Sequence, residues 1–499
     1  MATPKSLYGH SLALLTDLYQ LTMASAYWSS GMAERQAVFH LFFRENPFRG
    51  GFAIACGVDA VIDFIERFQF DDEDLAYLET LRGVDERPLF KSAFLDHLRG
   101  LKFACDVDAL PEGTAVFPQE PLVRVRGPIL QCQLMETPLL TLVNYSTLVA
   151  TKAARLYLAA DGDSILEFGL RRAQGIDGGV TAARAAYVGG CVATSNVLAG
   201  KLFGIPVRGT HAHSWVMAFD DEPTAFQTYA QAMPNNCVFL VDTYDTLDGV
   251  RHAVETGRWL QQNGHRMVGI RLDSGDMTAL SIQARKILDD AGFPAASIVA
   301  SSDLDEYAIA AMKERGARVD VWGVGTRLAT AYDQPALGGV YKLTAIQTRE
   351  GRWQDRVKRS EDAIKSTNPG IQQVRRFFGG DGQFIGDMIY DENHGVAGEA
   401  SMIDLADSRA RRTFPADAEH EDLLTPIFQS GDCVYPRVAI EDSRARTLAQ
   451  LERLPAGVKR FEAPETYPVG LEAGLHETKT RLLAEVNRRR GSSVESEEP

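Results

Sequence analysis

The chain has 499 residues, of which 45% are hydrophobic and 24% charged, which is the composition of an ordinary globular protein. Because a single hydrophobic core seldom grows beyond about 250–300 residues, this length predicts two or three domains. A net charge of −15 argues against an extended basic surface for nucleic acid, whereas local arginines remain able to bind a small anion.

The six cysteines are scattered and none forms a CxxC pair, which argues against a zinc module or a disulfide framework and is typical of a reducing compartment. The first residues carry no secretion-signal pattern. The longest apolar stretch, 185–200, is shorter than the ~20 residues that a membrane-spanning helix needs. We therefore expect a cytoplasmic protein with no membrane partner.

The first part of the chain predicts a mixed helical and antiparallel domain. Apolar residues at helical spacing predict a helix within 14–31, with Thr16 as its N-cap and Gly31 at its end. Strand-like aromatic residues follow, and 109–136 breaks into short β-branched runs that are typical of antiparallel strands. A long helix is predicted over 136–160, because Thr137 and Pro138 are typical of a helix start.

Farther along the chain, short apolar runs alternate with helical stretches. Buried strands that alternate with helices form parallel sheets, and about seven such units predict a (β/α) barrel. The fold class is therefore α/β. The runs are SILEFG (164–169), GGCVATSN (189–196), IPVRGTHAHS (205–214), CVFLVD (237–242), RMVGIRLDSGD (266–276), SIVASSD (297–303) and VDVWGVGT (319–326).

These patterns divide the chain into four predicted parts. The looser, more charged sequence beyond residue 345 ends in a helix at 470–487, and the last residues have no apolar periodicity. The predicted parts are an N-terminal α+β domain (1–140), the α/β barrel (141–345), a C-terminal region (346–487) and a disordered tail (488–499).

The segment GTHAHSWVMAF (209–219) places His211 and His213 one residue apart in a chain with ten histidines. Alternation along a strand predicts that both side chains point to the same face, with His213 nearer the rim where barrel chemistry occurs. Two histidines at this spacing can also bind a metal, but such sites need further ligands and the neighbouring runs are poor in histidine. We therefore favour a nucleophilic or acid–base role for His213.

Polar residues at the ends of the predicted strands indicate an anion-binding rim. Arg171 follows the first run, whereas Arg271 and Asp273 lie together in RLDSGD. A guanidinium binds a carboxylate or phosphate through two parallel hydrogen bonds. The GVGT turn (323–326) adds backbone N–H groups that suit a phosphate.

Six segments in chain order resemble the signature segments of the nicotinate phosphoribosyltransferase family. They are LLTDLYQLTMASAYW, EFGLRRAQG, GGCVATSNVLAGKLFGIPVRGTHAHSWVMAF, IRLDSGD, GVGTRLAT and STNPGIQQVRRF, and YPVGLEAGLHETKTRLL near the end is similar as well. The resemblance implies an ATP-coupled enzyme of NAD salvage that makes nicotinate mononucleotide and pyrophosphate from nicotinate and phosphoribosyl diphosphate. It also implies Mg²⁺ held mainly by substrate phosphates, an N-terminal α+β domain completed by C-terminal segments, and a homodimer with a shared active site.

The resemblance also implies roles for individual residues. It makes His213 the histidine that ATP phosphorylates and leaves His211 either to packing or to supporting the residues that touch substrate. Tyr19 and Phe168 match the aromatic residues on either side of the pyridine ring, Tyr19 reaching across the dimer.

The other implied contacts are polar, and the resemblance divides them by substrate. Asp242 and Asp273 match positions that contact metal or ribose, or that orient His213, and the choice among these roles stays open. The resemblance implies that nicotinate is contacted by Thr210, Ser214 and Arg271. It implies that the phosphate groups are contacted by Arg171, Gly325 and Thr326.

Two other functions stay open at this point. A nicotinamide phosphoribosyltransferase is expected to carry an acidic residue in the segment matching ATSN (193–196), where Thr194, Ser195 and Asn196 are neutral. A non-catalytic sensor of pyridine or phosphate is expected to have lost residues of the reactive rim, yet His213 and Arg271 are both present.

Overall fold

The computed structural model describes residues 11–360, 366–396, 399–405 and 407–494. The described residues form two compact units: residues 149–335 make up one, and the described residues before and after them, from 11 to 148 and from 336 to 494, make up the other. We call them the parallel unit and the antiparallel unit, after their sheets. The last predicted helix runs on to Val494, into the predicted disordered tail, of which residues 495–499 lie outside the described residues.

The helices lie throughout both units. They are α1 (Leu18–Ser29), α2 (Val58–Ile65), α3 (Asp72–Thr80), α4 (Ser92–Arg99), α5 (Ile129–Leu134), α6 (Glu136–Ala160), α7 (Gly175–Val188), α8 (Val197–Phe203), α9 (His213–Met217), α10 (Glu222–Ala232), α11 (Thr246–Gln262), α12 (Met277–Asp290), α13 (Glu306–Glu314), α14 (Thr326–Ala329), α15 (Ile440–Arg453) and α16 (Ala473–Val494), with short 3-10 turns at Pro47–Arg49 and Leu170–Arg172. None of them, within the described residues, is long and apolar enough to cross a membrane.

Both units also contain strands. They are β1 (Gln36–Phe42), β2 (Ala53–Ile54), β3 (Asp106–Ala109), β4 (Ala115–Val116), β5 (Val123–Pro128), β6 (Ser164–Glu167), β7 (Ala193–Thr194), β8 (Val238–Leu240), β9 (Gly269–Leu272), β10 (Ser297–Ser302), β11 (Val321–Val324), β12 (Val340–Gln347), β13 (Trp353–Asp355), β14 (Gln372–Phe378), β15 (Phe384–Asp391), β16 (Ser401–Asp404), β17 (Arg411–Thr413), β18 (His420–Asp422), β19 (Thr425–Gln429), β20 (Asp432–Cys433) and β21 (Val469–Glu472).

The parallel unit is built on a six-stranded sheet in the order β7–β6–β11–β10–β9–β8, and every neighbouring pair is parallel. Its strands are apolar and buried because helices follow them and cover the sheet. Side-chain oxygens accept hydrogen bonds from backbone N–H groups at the helix starts, which fixes where these helices begin. The capping residues are Asn196, Asp221, Asp245, Asp276 and Asp305.

The prediction of a (β/α) barrel is not confirmed, because the structure shows no closed barrel. Six of the seven predicted runs form strands, but IPVRGTHAHS contributes only a single bridge, between Val207 and Thr194. This segment contacts β8 through side-chain hydrogen bonds to backbone groups rather than through a backbone ladder. The Thr210 hydroxyl donates to the Val238 carbonyl, and the Leu240 N–H donates to Nε2 of His211 at 3.3 Å.

The antiparallel unit combines strands from both ends of the chain in its seven-stranded sheet, whereas its six-stranded sheet comes from the C-terminal segment alone. A seven-stranded sheet has the order β13–β12–β1–β5–β3–β19–β20, and a six-stranded sheet has the order β17–β16–β21–β15–β14–β18. Buried Arg376 pairs with Asp387 across β14 and β15, with N···O distances of 2.5 to 3.1 Å. Within this unit α1 begins after Asp17 rather than after the predicted cap Thr16 and ends before Gly31, whose φ is +70°.

Candidate active site

Two adjoining cavities lie at the carboxyl edge of the parallel sheet, and Phe168, Arg171 and Arg271 line both of them. The first has a volume of about 320 Å³ and is also lined by Arg172, Asp273, Ser301, Ser302, Asp303, Gly323, Gly325 and Thr326. The second has a volume of about 310 Å³ and is also lined by Leu170, Ser195, Gly209, Thr210, His211 and Ala212. The three shared residues form a common wall, and we call the two cavities together the cleft.

Phe168 is placed by the close approach of β6 and β11. Its backbone N–H donates to the Val324 carbonyl at 2.8 Å. A Cβ atom at Gly323 would stand only 2.6 Å from Cε2 of the Phe168 ring, so the absence of a side chain there lets the ring lie against β11. An aromatic face is thereby held at the wall that both cavities share.

Glu167 fixes the turn that carries Arg171. Its carboxylate accepts hydrogen bonds from the Gly169 N–H and from the Thr194 hydroxyl, the latter at 2.5 Å, which ties β6 to β7. Burial raises the pKa of Glu167. Arg171 follows on the 3-10 turn, where its side chain is exposed to the cleft.

Arg271 on β9 is largely buried and is held by Ser301 on the neighbouring strand β10 and by Asp273 just beyond β9. Its Nε donates to Ser301 Oγ at 2.9 Å, and its Nη2 donates to Asp273 Oδ1 at 3.3 Å. The Ser301 hydroxyl in turn donates to Asp273 Oδ1 at 2.5 Å. Burial alone would raise the pKa of Asp273, but the hydrogen bond from Ser301 and the charge of Arg271 lower it instead. The result is a fixed guanidinium with a charged carboxylate beside it.

His213 is the first residue of α9 and is 40% exposed at its side chain. Its Nδ1 lies 3.1 Å from Thr243 Oγ1. Its Nε2 faces two carboxylates, Asp273 Oδ2 at 3.7 Å and Asp242 Oδ1 at 3.9 Å. An accessible imidazole with two carboxylates on one side and a hydroxyl on the other is suited to a nucleophilic or acid–base role.

His211 has a different environment, so the prediction that the two histidines share one face of a strand is wrong. The segment is not a strand, and His211 is only 7% exposed among Phe226, Tyr229 and Phe239. Burial lowers its pKa to about 4. The ring packs among aromatic side chains and bonds β8, and the role of His211 stays a prediction.

The structure brings most of the predicted site residues together. Arg171, Arg271, Phe168, Thr210, Asp273, Gly325 and Thr326 line the cleft, and Asp242 and His213 adjoin Asp273. The hydroxyl of Thr210 is bonded to β8, and Ser214 is exposed on α9. Tyr19 lies on α1 in the antiparallel unit, 48% exposed. The functional roles assigned to these residues stay predictions.

Sequence reasoning overlooked two residues that the geometry brings to the site. Asp303 lines the first cavity, and Thr243 contacts His213. Asp303 directly follows β10 in SIVASSD, and Thr243 is the third residue beyond the end of β8. Because all of these strands are parallel, every residue just beyond a carboxyl end was a candidate.

Arginines, glycine backbone and an aromatic face at this sheet edge define a cleft for an anionic, ring-bearing substrate beside a reactive histidine. Within the described part of the chain, no group of three or more His, Cys, Asp and Glu side chains is placed to hold a metal ion. The groups that this cleft offers to an anion are guanidinium and backbone N–H groups.

Comparison with known proteins identifies the family. Residues 14–144 match the nicotinate phosphoribosyltransferase N-terminal domain, 164–374 the nicotinate phosphoribosyltransferase family model, and 371–479 its C-terminal domain. The chain therefore belongs to the nicotinate phosphoribosyltransferase family, a family of pentosyl-transferring enzymes.

Individual relatives cover nearly the whole chain. It is 44% identical over 495 residues to the nicotinate phosphoribosyltransferase of Bacillus subtilis, covering 98% of both chains. It is 37% identical over 528 residues to the one from Homo sapiens, covering 94% of this chain and 96% of that one. A crystal structure of human nicotinic acid phosphoribosyltransferase superposes with a TM-score of 0.81 at 35% identity, covering 94% of this chain and 99% of that one.

Proposed function

We propose that this protein transfers the phosphoribosyl group from phosphoribosyl diphosphate to the ring nitrogen of nicotinate, releasing pyrophosphate. The observation that carries the proposal is the position of Arg271 in the wall shared by both cavities. From there one guanidinium reaches a pyridine carboxylate in the second cavity, while Arg171, Gly325 and Thr326 bind phosphates in the first. Bond breaking at ribose C1 then needs mainly positioning and charge stabilisation from the protein.

Nicotinate rather than nicotinamide is the substrate that this cleft favours. Arg271 offers a charged donor to a carboxylate, and Ser195, the residue of ATSN that lines the second cavity, is neutral. A fixed guanidinium–carboxylate contact discriminates by about 10²-fold or more against the uncharged amide.

The test compares two arginines of the same cleft. Arg271→Lys should reduce kcat/KM for nicotinate by about tenfold or more, because the paired donors and the bond to Ser301 are lost. Arg172→Lys is the matched control, since Arg172 lines only the first cavity. Its effect should fall on the KM for phosphoribosyl diphosphate. Equal nicotinate KM values in both variants would contradict the assignment of Arg271.

The same proposal makes ATP a co-substrate through His213. Its ring is accessible, and the neighbouring carboxylates of Asp242 and Asp273 can stabilise the imidazolium that forms when a ring nitrogen takes a phosphoryl group. Phosphorylation adds negative charge beside the substrate site, which would draw in the cation that accompanies phosphoribosyl diphosphate. His213→Ala should abolish phosphorylation and leave a slower, ATP-independent transfer.

Mg²⁺ fits this cleft as an ion bound mainly by substrate phosphates. It prefers oxygen ligands and binds proteins through one or two carboxylates plus phosphate groups. The carboxylate of Asp303, which is 65% exposed in the first cavity, is suited to complete such a shell. When bound, the ion would neutralise charge on the departing pyrophosphate.

We further propose a cytoplasmic homodimer with a shared active site. Association of two copies buries apolar side chains that a single copy leaves exposed. In the parallel unit Ile176 and Val197 are 74% and 70% exposed, and in the antiparallel unit Leu18 and Tyr19 are 52% and 48% exposed. Docking α1 of one copy onto the cleft of the other would bury these side chains and bring Tyr19 to the pyridine ring.

A further inference from the structure

Thr243 gives the two ring nitrogens of His213 unequal surroundings. The residue directly follows Asp242 beyond the end of β8, and its Oγ1 lies 3.1 Å from His213 Nδ1. Nε2 points the other way, toward carboxylate oxygens. The neutral imidazole has one nitrogen that carries a proton and one that carries a lone pair, so these surroundings decide which nitrogen can act as a nucleophile.

The carboxylates favour a proton on Nε2. Asp242 is held by its Oδ2, which accepts hydrogen bonds from the Asp273 N–H at 3.0 Å and from the Ser274 hydroxyl at 2.6 Å. Its Oδ1 is buried and has no hydrogen-bond partner among the residues that the structure describes. Since Asp273 also directs its Oδ2 at Nε2, a proton there faces two acceptors.

The same carboxylates disfavour a phosphoryl group on Nε2. A phosphoryl group attached there would bring its charge close to Asp242 and Asp273, which lie within 4 Å of that nitrogen and are fixed by their other bonds. Like charges at such a separation repel most strongly where water is excluded, and the side chain of Asp242 is only 1% exposed. With the proton on Nε2, the lone pair on Nδ1 accepts from the Thr243 hydroxyl and is free of that repulsion.

We propose that Thr243 is a positioning residue that orients Nδ1 of His213 for phosphoryl transfer and then stabilises the phosphoryl group by a hydrogen bond. This inference rests on the proposed function, which supplies ATP as the co-reactant. The Nδ1 lone pair attacks the γ-phosphorus and forms the N–P bond, while the bond to the bridging oxygen breaks and its electron pair leaves with ADP. The Nε2 proton stays in place, facing the carboxylates of Asp242 and Asp273. The Thr243 side chain rotates about its Cα–Cβ bond, which moves Oγ1 out of the line of attack, and its hydroxyl then donates to a phosphoryl oxygen.

The test uses Thr243→Val, which keeps the shape of threonine without its hydroxyl, and Thr243→Ser, which restores the hydroxyl. Thr228→Val is the matched control, because the Thr228 hydroxyl bonds the Thr224 carbonyl on α10, away from His213. Three quantities are measured: the rate of phosphoenzyme formation from labelled ATP, the ratio of ATP-stimulated to ATP-independent mononucleotide synthesis, and the phosphorylated nitrogen, identified by NMR.

We expect the wild-type protein to carry the phosphoryl group on Nδ1. Thr243→Val should form the phosphoenzyme about tenfold more slowly or worse, the effect of losing one hydrogen bond to a charged group. Thr243→Ser should recover most of this rate, and Thr228→Val should match the wild type in the stimulation ratio.

Three results would overturn the proposal while leaving the proposed function intact. They are a wild-type phosphoryl group on Nε2, a Thr243→Val phosphorylation rate equal to that of the wild type, and a Thr243→Ser rate as slow as that of the valine variant. The first of these results is measured on the wild-type protein, so it does not depend on whether a variant folds. A wild-type protein that makes mononucleotide but is never phosphorylated would instead refute the ATP-dependent part of the proposed function, and this inference with it.

Discussion

His211 provides a quantitative test of the structure, because it is a buried histidine whose ring nitrogens are both engaged. The Leu240 N–H donates to Nε2 at 3.3 Å, and Nδ1 lies 3.4 Å from the Ala212 carbonyl. This arrangement fits a neutral ring with its proton on Nδ1. Burial lowers the pKa from 6.5 to about 4.

This pKa difference makes stability depend on pH in a defined direction. Between pH 6.5 and pH 4 the unfolded chain binds a proton at residue 211 that the folded chain does not bind. The free energy of unfolding therefore falls as the pH falls through this range. The His211 contribution amounts to about 2 kcal/mol between pH 7 and pH 5, and about 3 kcal/mol when fully developed.

The assay compares the wild type with His211→Gln, which cannot titrate and keeps an acceptor for Leu240. Urea unfolding followed by tryptophan fluorescence gives the free energy of unfolding at pH 7 and pH 5. The loss on acidification should be about 2 kcal/mol smaller in the variant. His265→Gln, a partly exposed histidine of the same unit, controls for the loss of a histidine elsewhere. Equal losses in wild type and His211→Gln would refute the buried, neutral histidine.

Two other predictions concern the substrate ring. Gly323→Ala places a Cβ 2.6 Å from the Phe168 ring and should raise the KM for nicotinate by about tenfold, which is the scale of a packing clash of about 1–3 kcal/mol. The control Gly178→Ala, whose Cβ meets nothing closer than 4.0 Å, should leave this KM unchanged. An unchanged KM for nicotinate in the Gly323 variant would contradict the role of Phe168. Mixing Tyr19→Ala with His213→Ala protein, each impaired in ATP-stimulated synthesis, should restore part of the ATP-stimulated activity through hybrid dimers, and no recovery after subunit exchange would count against a shared site.

Local sequence signals predicted several elements well. The helix predicted over 136–160 is α6, Glu136–Ala160, because long apolar periodicity and a helix-start signal agree there. The apolar runs that end in small or polar residues became β6 to β11, and their carboxyl ends carry the predicted Arg271 and Asp273. Periodicity and chain order were sufficient for these features.

The structural features that local sequence patterns did not predict depend on contacts between segments far apart in the chain. The run IPVRGTHAHS has a strand-like pattern, but Thr210 and His211 bond the backbone groups of β8 through their side chains, so no ladder forms. The antiparallel pairing of β3 with β19 joins residues more than 300 positions apart, which no local pattern encodes. The contact of Thr243 with His213 likewise arises only from the parallel order of the sheet.

The most direct test of the proposed function is the reaction itself. The purified chain is incubated with phosphoribosyl diphosphate and Mg²⁺, with nicotinate or nicotinamide as the acceptor, in the presence and absence of ATP, and the initial rate of mononucleotide formation is measured. We predict nicotinate mononucleotide formation that ATP stimulates, with kcat/KM for nicotinate about 10²-fold or more above that for nicotinamide. Comparable kcat/KM values for the two acceptors, or no mononucleotide from nicotinate, would contradict the assignment of Arg271 as the residue that selects the carboxylate.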